Sequence, residues 1–381
     1  MPSPSSPRFG LARIQCAVVI CFFIVGLSLG GLPLFVTGTL GAGDTAVGIV
    51  IGSQFLASLA SRMFVGRLLG AAGARRCTLL GLYGLSAYGL LLLAASAMPG
   101  AALPVLVAAR IAQGLAVGIL TTAAIIWAID RLGEASTARV LSMTGISIYG
   151  AIACGAPAGI LLFRHFGLPG VAGPVLALPA VALFLLLAVG DANRHDPKRS
   201  SAGSVFGKVL LPGAVLFLHA VGFVSVEAFV SLYFSASGWP LVTLALFFFG
   251  TAFVAVRLVF GHLLQGQRLA ALAGASLLAQ TAGLCLLAAA PNAYWALFSV
   301  ALVGGSCSLT FPALGALAVA RCASHERGTA MGYYSAFQDA SYALTGPVAG
   351  ALIGCKGYGA GFLAAGGCSL LALLLLLRAR R

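Results

Sequence analysis

Long apolar runs alternate with short breaks of polar residues, glycine or proline along all 381 residues of this chain. A helix that crosses membrane hydrocarbon needs about 20 mostly apolar residues, and these runs reach that length. They are continuous rather than alternating between apolar and polar positions, which favours helices over the strands of a membrane barrel. We predict an all-α membrane protein with twelve transmembrane helices, at 13–37, 45–66, 76–98, 103–129, 137–162, 168–190, 209–236, 239–264, 269–290, 293–320, 328–354 and 357–377.

One phrase occurs twice, in the second apolar run of each half of the chain. The copies read Arg62-Met-Phe-Val-Gly66-Arg-Leu-Leu and Arg257-Leu-Val-Phe-Gly261-His-Leu-Leu. Self-similarity of this kind indicates that one unit has been duplicated and fused. We therefore expect two pseudo-symmetric six-helix bundles, at 1–190 and 209–381, joined by a polar and basic cytoplasmic loop at 191–208.

The composition supports a membrane location and suggests an orientation. Hydrophobic residues make up 60% of the chain, charged residues only 8%, and the mean hydropathy is +1.06, which excludes an ordinary soluble domain. The net charge of +14 is concentrated on one predicted side, and the opposite side keeps only Arg164 and Lys356. Because basic loops stay in the cytoplasm, we expect both termini to be cytoplasmic, and the charge needs no nucleic-acid partner.

The sequence lacks the motifs that usually accompany ATP hydrolysis and metal binding. The chain contains no phosphate-binding loop of the ATPase type, and its nine cysteines are scattered singly without metal-ligand spacing. We therefore expect no metal, no cofactor and no ATP hydrolysis. A membrane enzyme would usually show clustered carboxylates or histidines at one membrane face, and a receptor or scaffold would not need duplicated halves; both stay as weaker alternatives.

The chemistry is concentrated in three ionisable residues within apolar helices, namely Arg110, Glu227 and Asp339. A charge at the middle of a bilayer costs at least about 2.5–3.5 kcal/mol, so each one needs a reason. Either carboxylate could hold a proton and release it when water or a cation approaches, whereas a guanidinium stays charged and can pair with a carboxylate or an anionic substrate group. The alternatives are structural ion pairs for Arg110 and Asp339, and simple solvation near the external surface for Glu227.

Polar residues near these charges are candidates for lining a substrate cavity. Ser335, Asp339, Tyr342 and Gly346 recur at helical spacing and form one polar and small face. His219 precedes Glu227 by about two turns, and Gln113 continues the face of Arg110. The candidate cavity residues are Gln113, His219, Ser335, Gln338 and Tyr342.

Arginines and tryptophans near helix ends have simpler interpretations. Arg62 and Arg257 occupy matching positions in the repeat and could form an inner gate, but arginines at such positions commonly extend to the membrane surface instead. Trp127, Trp239 and Trp295 are predicted to anchor helix ends at the membrane interface.

The layout of six plus six helices around a basic central loop, together with three local motifs, resembles the major facilitator superfamily over nearly the whole chain. The family's loop between helices 2 and 3 reads Gly-x-x-x-Asp-Arg-x-Gly-Arg-Arg, and the glycines and final arginines of this pattern are found at Gly66, Gly73, Arg75 and Arg76. Helix 4 matches the family's Arg-x-x-Gln-Gly motif as Arg110-Ile-Ala-Gln113-Gly114. The family's antiporter motif is approached by Gly155-Ala-Pro157-Ala-Gly159 in helix 5 and by Gly346-Pro347-x-x-Gly350 in helix 11.

The chain is most similar to small bacterial exporters of the arabinose-efflux-permease-like kind. The resemblance implies proton-coupled efflux of a small organic solute by a monomer in the bacterial inner membrane, with alternating access between two bundles. It further implies gating or motif roles for Gly66, Gly73, Arg75, Arg76, Gly261, Gly346 and Pro347. Uptake by proton symport stays as the alternative, because no residue pattern distinguishes the direction of transport.

Overall fold

The computed structural model describes residues 7–133, 136–191, 202–265, 268–322 and 326–378, and these ranges contain helices and no strand. Backbone groups in hydrocarbon find no water, so long apolar segments satisfy their hydrogen bonds internally as helices. The helices are α1 (Pro7–Leu34), α2 (Asp44–Ala72), α3 (Ala74–Ala97), α4 (Ala102–Leu132), α5 and α6 (137–166 and 168–187, within Thr137–Leu187), α7 (Ala202–Ala236), α8 (Val242–Phe260), α9 (Leu269–Ala288), α10 (Ala293–Ala320), α11 (Arg327–Lys356) and α12 (Tyr358–Arg378).

One residue divides the longest helical segment into α5 and α6. Gly167 has φ 63° and ψ −159°, a conformation that is open to glycine and costly for residues with a Cβ. Ten helices of the described ranges are long and apolar enough to cross a membrane, with Met143–Leu187 counted as one and α11 not among them. The predicted all-helical membrane fold is confirmed, whereas the count of twelve spans is reached only if this segment is divided at Gly167 and α11 is included.

The described residues separate into two compact units. Unit 1 comprises those within Met1–Leu40 and Ser53–Pro197, and unit 2 comprises those within Gly41–Gly52 and Lys198–Arg381. The predicted domain boundaries stay a prediction, because most of the expected loop at 191–208, residues 192–201, lies outside the described residues.

Glycines bring helix backbones together inside unit 1. A Cβ on Gly155 or Gly159 of α5 would collide with the backbone of α1, and a Cβ on Gly114 of α4 would collide with a backbone carbonyl of α2 at Gln54. Lipid offers no hydrophobic drive for helix association, so close packing of this kind holds the helices together. Gly155 and Gly159 therefore form the surface of α5 that packs against α1.

Unit 2 uses glycines in the same way. Gly304 of α10 packs against the carbonyl of Phe249 in α8. Gly346 and Gly350 of α11 pack against the first turns of α2, at Gly48 and Asp44. The helix-packing surface of α11 therefore includes Gly346 and Gly350 of the predicted antiporter motif.

Trp127 does not act as an interfacial anchor. Its side chain is fully buried in unit 1, and its indole Nε1 donates to the carbonyl oxygen of Gly190 at 3.3 Å. Arg131 donates to the same carbonyl at 2.9 Å, so the end of α4 is tied to the segment that follows α6. The prediction for Trp127 was wrong, because proximity to a helix end does not reveal what packs against that end.

Candidate functional site

Arg110 lies at the centre of a buried polar cluster in unit 1. Its side chain is fully buried in α4, and Nη1 donates to Oε1 of Gln113 at 2.5 Å, one helical turn further along. The guanidinium also interacts with the hydroxyl of Tyr88 in α3. A permanently charged group inside apolar helices is stabilised by such polar partners, since a buried charge without hydrogen bonds would be very costly.

The cluster continues from Gln113 to a third helix. Nε2 of Gln113 donates to Oγ of Ser28 in α1 at 3.4 Å, and this hydroxyl is 2.6 Å from the hydroxyl of Tyr88. Ser28, Tyr88, Arg110 and Gln113 therefore connect α1, α3 and α4. The sequence predicted Arg110 and Gln113 as site residues but missed Ser28 and Tyr88, which no local motif marks.

Asp339 lies near the middle of α11 in unit 2, and its side chain is buried with 6% exposed. Beside it on the same helix, Nε2 of Gln338 donates to the hydroxyl of Tyr342 at 2.9 Å, and Tyr342 is itself buried. Ser335, one turn before Asp339, is half-buried. The burial of Asp339 and Tyr342 agrees with the polar face predicted from their spacing.

An aromatic stack extends from Tyr342 to two other helices. Its ring lies parallel to the ring of Phe223 in α7, with centroids 5.3 Å apart and planes 3° apart. Phe223 in turn packs edge-on against Phe249 of α8, also at 5.3 Å. Unit 2 thus places a buried carboxylate, an amide and a stacked aromatic pair on neighbouring positions, a combination able to bind a proton and an organic molecule.

His219 of α7 belongs to a second buried cluster in unit 2. Its Nδ1 lies 2.7 Å from Oε1 of Gln280 in α9, and Nε2 of Gln280 donates to the His219 carbonyl at 3.0 Å. Since the amide nitrogen is committed to that carbonyl, Oε1 is the acceptor, and Nδ1 must carry the hydrogen that it receives. A neutral His219 with this hydrogen bond therefore carries its proton on Nδ1.

Gln280 connects His219 with further helices. Its Oε1 also accepts from Oγ of Ser369 in α12 at 2.9 Å, and its Nε2 lies 3.5 Å from the sulfur of Cys307 in α10. Glu227 lies close enough to that same Cys307 for the two side chains to interact electrostatically. Sequence reasoning missed Gln280, which the structure shows to be fully buried. A glutamine inside an apolar helix is a signal of a functional or structural polar contact, because its amide needs hydrogen-bond partners there.

Glu227 is buried in α7, with only 3% exposed. The alternative that it is a solvated carboxylate at the external surface is wrong, because neighbouring helices cover it. Its buried position keeps it as a candidate for proton binding.

Arg62 and Arg257 have different surroundings despite their matching positions in the repeat. Arg257 donates through Nε to the hydroxyl of Ser308 at 3.3 Å and through Nη2 to the carbonyl of the same residue in α10. Its guanidinium also lies 5.6 Å from the ring centroid of Phe253. Arg62 is exposed. Arg257 therefore ties α8 to α10, and a gating role for either arginine stays a prediction.

The other motif residues lie at helix ends and surfaces. Gly66 is an exposed residue within α2, whereas Gly261 begins the short 3₁₀ turn Gly261–Gln265 after α8. Gly73 forms the turn between α2 and α3 with a positive φ of 83°, which explains why glycine occupies this position. Arg75 and Arg76 follow it in the first turn of α3.

Comparisons with known proteins bear on the whole chain. A sequence model of the family described as Major Facilitator Superfamily matches residues 15–345 and 266–381. An uncharacterized MFS-type transporter of Burkholderia mallei is 39% identical over 372 residues, which cover 96% of this chain and 91% of that protein. Another, of Salmonella typhimurium, is 36% identical over 369 residues, which cover 96% of this chain and 95% of its own length.

Two solved structures share the fold at low sequence identity. A mutant of the nucleoside transporter NupG superposes with a TM-score of 0.81 at 13% identity, and the alignment covers 98% of this chain and 100% of that one. The human organic anion transporter MFSD10 gives a TM-score of 0.68 at 15% identity, with the same coverage. At these identities the likeness concerns the fold alone.

Proposed function

Since this chain belongs to the major facilitator superfamily and is a membrane transporter rather than an enzyme, we propose that it exports a small organic solute in exchange for protons. The observation that carries the proposal is the buried carboxylate of Asp339 in the middle of α11. Burial makes ionisation of a carboxylate costly, whereas hydration or a positive group favours it, so Asp339 is suited to bind and release a proton during the transport cycle.

In this proposal Asp339 is the main proton carrier and Glu227 is a second one. Gln338 and Tyr342 lie beside Asp339, and the stacked pair of Tyr342 and Phe223 offers an aromatic surface for the solute. Solute that binds against these residues changes the hydration of the carboxylate, which couples solute binding to proton release. Ser335 and His219 complete the proposed solute site in unit 2.

Arg110 has a separate role in unit 1. Its permanent positive charge can pair with an anionic group of the solute, while Gln113 and Tyr88 hold the guanidinium in position. Competition between charged groups of this kind is sufficient to couple two transport steps, and no nucleotide is needed as an energy source.

Proton coupling and its direction can be tested in liposomes that contain the purified protein. We expect an inside-acid pH gradient to accelerate entry of the transported solute, with a panel of nucleosides, organic anions and cationic drugs as probes, because an antiporter moves solute against the proton flow. A pH dye inside the liposomes should report proton exit at the same time.

Protein-free liposomes and liposomes with an ionophore that collapses the gradient serve as controls. Acceleration by an outside-acid gradient would instead establish uptake by symport. If neither gradient changes the entry rate of a solute that the protein demonstrably transports, proton coupling is contradicted.

We further propose that the protein lies in the bacterial inner membrane with both termini in the cytoplasm. The basic helix ends at Arg75, Arg76, Arg131, Arg268 and Arg321 support this orientation, since positively charged residues flanking membrane helices are retained in the cytoplasm. The exposed native Cys355 lies beside Lys356 at the C-terminal end of α11, which this orientation places on the side of the membrane away from the cytoplasm.

Cysteine labelling checks this orientation. A variant that retains only Cys355 should react with a membrane-impermeant maleimide in intact cells from which the outer membrane barrier has been removed. A variant in which the native cysteines are replaced and Arg76→Cys supplies the single cysteine should react only after the inner membrane is opened. The reverse pattern would show that the orientation is inverted.

A further inference from the structure

Unit 2 contains an apolar cavity between α7, α9, α10 and α12. Its volume is about 180 Å³, and its walls include Leu211, Ala270, Leu317 and Leu376, one from each helix. Arg321, directly after the end of α10, is the single charged residue of the lining. The cavity lies at the end of unit 2 where α7 and α9 begin and α10 and α12 end.

Positive charges surround the mouth of this cavity. Each of the four helices carries one cation within a turn of its lining residue: Lys208 on α7, Arg268 before α9, Arg321 after α10 and Arg378 at the end of α12. A separation of two to four residues along a helix corresponds to roughly 3–6 Å, so these cations belong to one membrane level.

Among the described residues, only one of these four cations has an acidic partner. Lys208 forms an ion pair with Glu326, with Nζ and Oε2 separated by 2.6 Å. In the part of the chain that the structure describes, the side chains of Arg268, Arg321 and Arg378 have no hydrogen-bond or ion-pair partner, and all three are exposed. Three arginines around an apolar opening suit an anion with a hydrocarbon tail.

We propose that this cavity binds the first part of one acyl chain of an anionic phospholipid, whose phosphate lies against Arg321 with Arg268 and Arg378 nearby. The apolar walls exclude a free inorganic anion as the natural ligand, because they offer it no hydrogen bonds. A zwitterionic headgroup fits less well, because its ammonium group would be repelled by the arginines. Basic pockets between transmembrane helices at the headgroup level are suited to this kind of lipid.

Lipid binding to the purified full-length protein tests the proposal and does not depend on any transport assay. Phosphatidylglycerol and phosphatidylcholine with identical acyl chains are titrated against delipidated protein, and native mass spectrometry counts the bound lipids. We expect one tightly bound phosphatidylglycerol and weaker binding of phosphatidylcholine. Arg321→Gln should weaken phosphatidylglycerol binding about fivefold, since each basic residue near a headgroup contributes about that factor.

Two further variants distinguish the contribution of the acyl chain to binding from that of the headgroup. Ala270→Phe fills the half-buried wall of the cavity without changing any charge, and it should also weaken phosphatidylglycerol binding. Arg67→Gln removes an exposed arginine of α2 in unit 1, whereas every lining residue of the cavity belongs to unit 2, and should leave binding unchanged.

Several results would overturn the proposal. Equal binding of the two lipids, or wild-type binding by Arg321→Gln, would show that no anionic headgroup is recognised there. Unchanged phosphatidylglycerol binding by Ala270→Phe would show that no acyl chain enters the cavity and that the lipid is held only by electrostatic attraction to the surface. Displacement of the lipid by inorganic phosphate alone would identify a site for free anions.

Discussion

Replacing Asp339 with asparagine is expected to reduce pH-gradient-driven transport to the level of protein-free liposomes. Asparagine keeps the size and hydrogen-bonding capacity of the side chain but cannot bind and release a proton. Because Asp339 is 6% exposed near the middle of α11, its ionisation is costly and its protonation can follow the transport cycle. The measurement is the initial rate of solute entry into proteoliposomes under an inside-acid gradient.

A second assay distinguishes loss of coupling from loss of structure. Exchange of labelled for unlabelled solute at equal pH on both sides requires no net proton movement, so Asp339→Asn should retain it, together with the wild-type melting temperature. Asp191→Asn removes an exposed carboxylate after α6 and should behave as wild type in both assays. If Asp339→Asn transports solute against a gradient at the wild-type rate and with unchanged pH dependence, Glu227 becomes the leading proton carrier.

Replacing Arg110 with lysine is expected to lower transport by roughly tenfold to a hundredfold. Lysine keeps the positive charge, but it loses the planar guanidinium that bonds to Gln113 at 2.5 Å while also contacting Tyr88. Loss of one hydrogen bond to a charged group costs about 1.5–3 kcal/mol, which corresponds to that range. The dependence of the transport rate on solute concentration should show mainly an increased KM if Arg110 binds the solute.

The matched control is Arg164→Lys, because Arg164 is an exposed arginine at the far end of α5. It should leave both KM and the maximal rate unchanged. A lower melting temperature for Arg110→Lys, combined with normal transport per folded molecule, would support the alternative that Arg110 has only a structural role.

The sequence by itself determined the class of the fold and its most polar buried positions. Continuous apolar runs can satisfy their backbone only as helices in a membrane, so the all-helical structure follows from local composition. Arg110 and Asp339 were identified because a charged residue inside such a run costs free energy whichever helix lies beside it. The Gly155-x-x-x-Gly159 spacing is typical of a packing face for the same local reason, since only small residues allow close backbone approach.

The partners of those residues were decided only by the tertiary structure. Tyr88 and Ser28 are ordinary residues of α3 and α1, and nothing in their own segments indicates that they lie beside Gln113 and Arg110.

Gln280, His219 and Ser369 likewise meet from three helices that are distant in sequence. Trp127 looked like an interfacial residue until Gly190 was found against it. Hydropathy and helical period describe which face of one helix is polar, but they carry no information about which helix lies opposite. That choice depends on side-chain volumes and glycine contacts summed over a whole bundle, so only the folded structure reveals it.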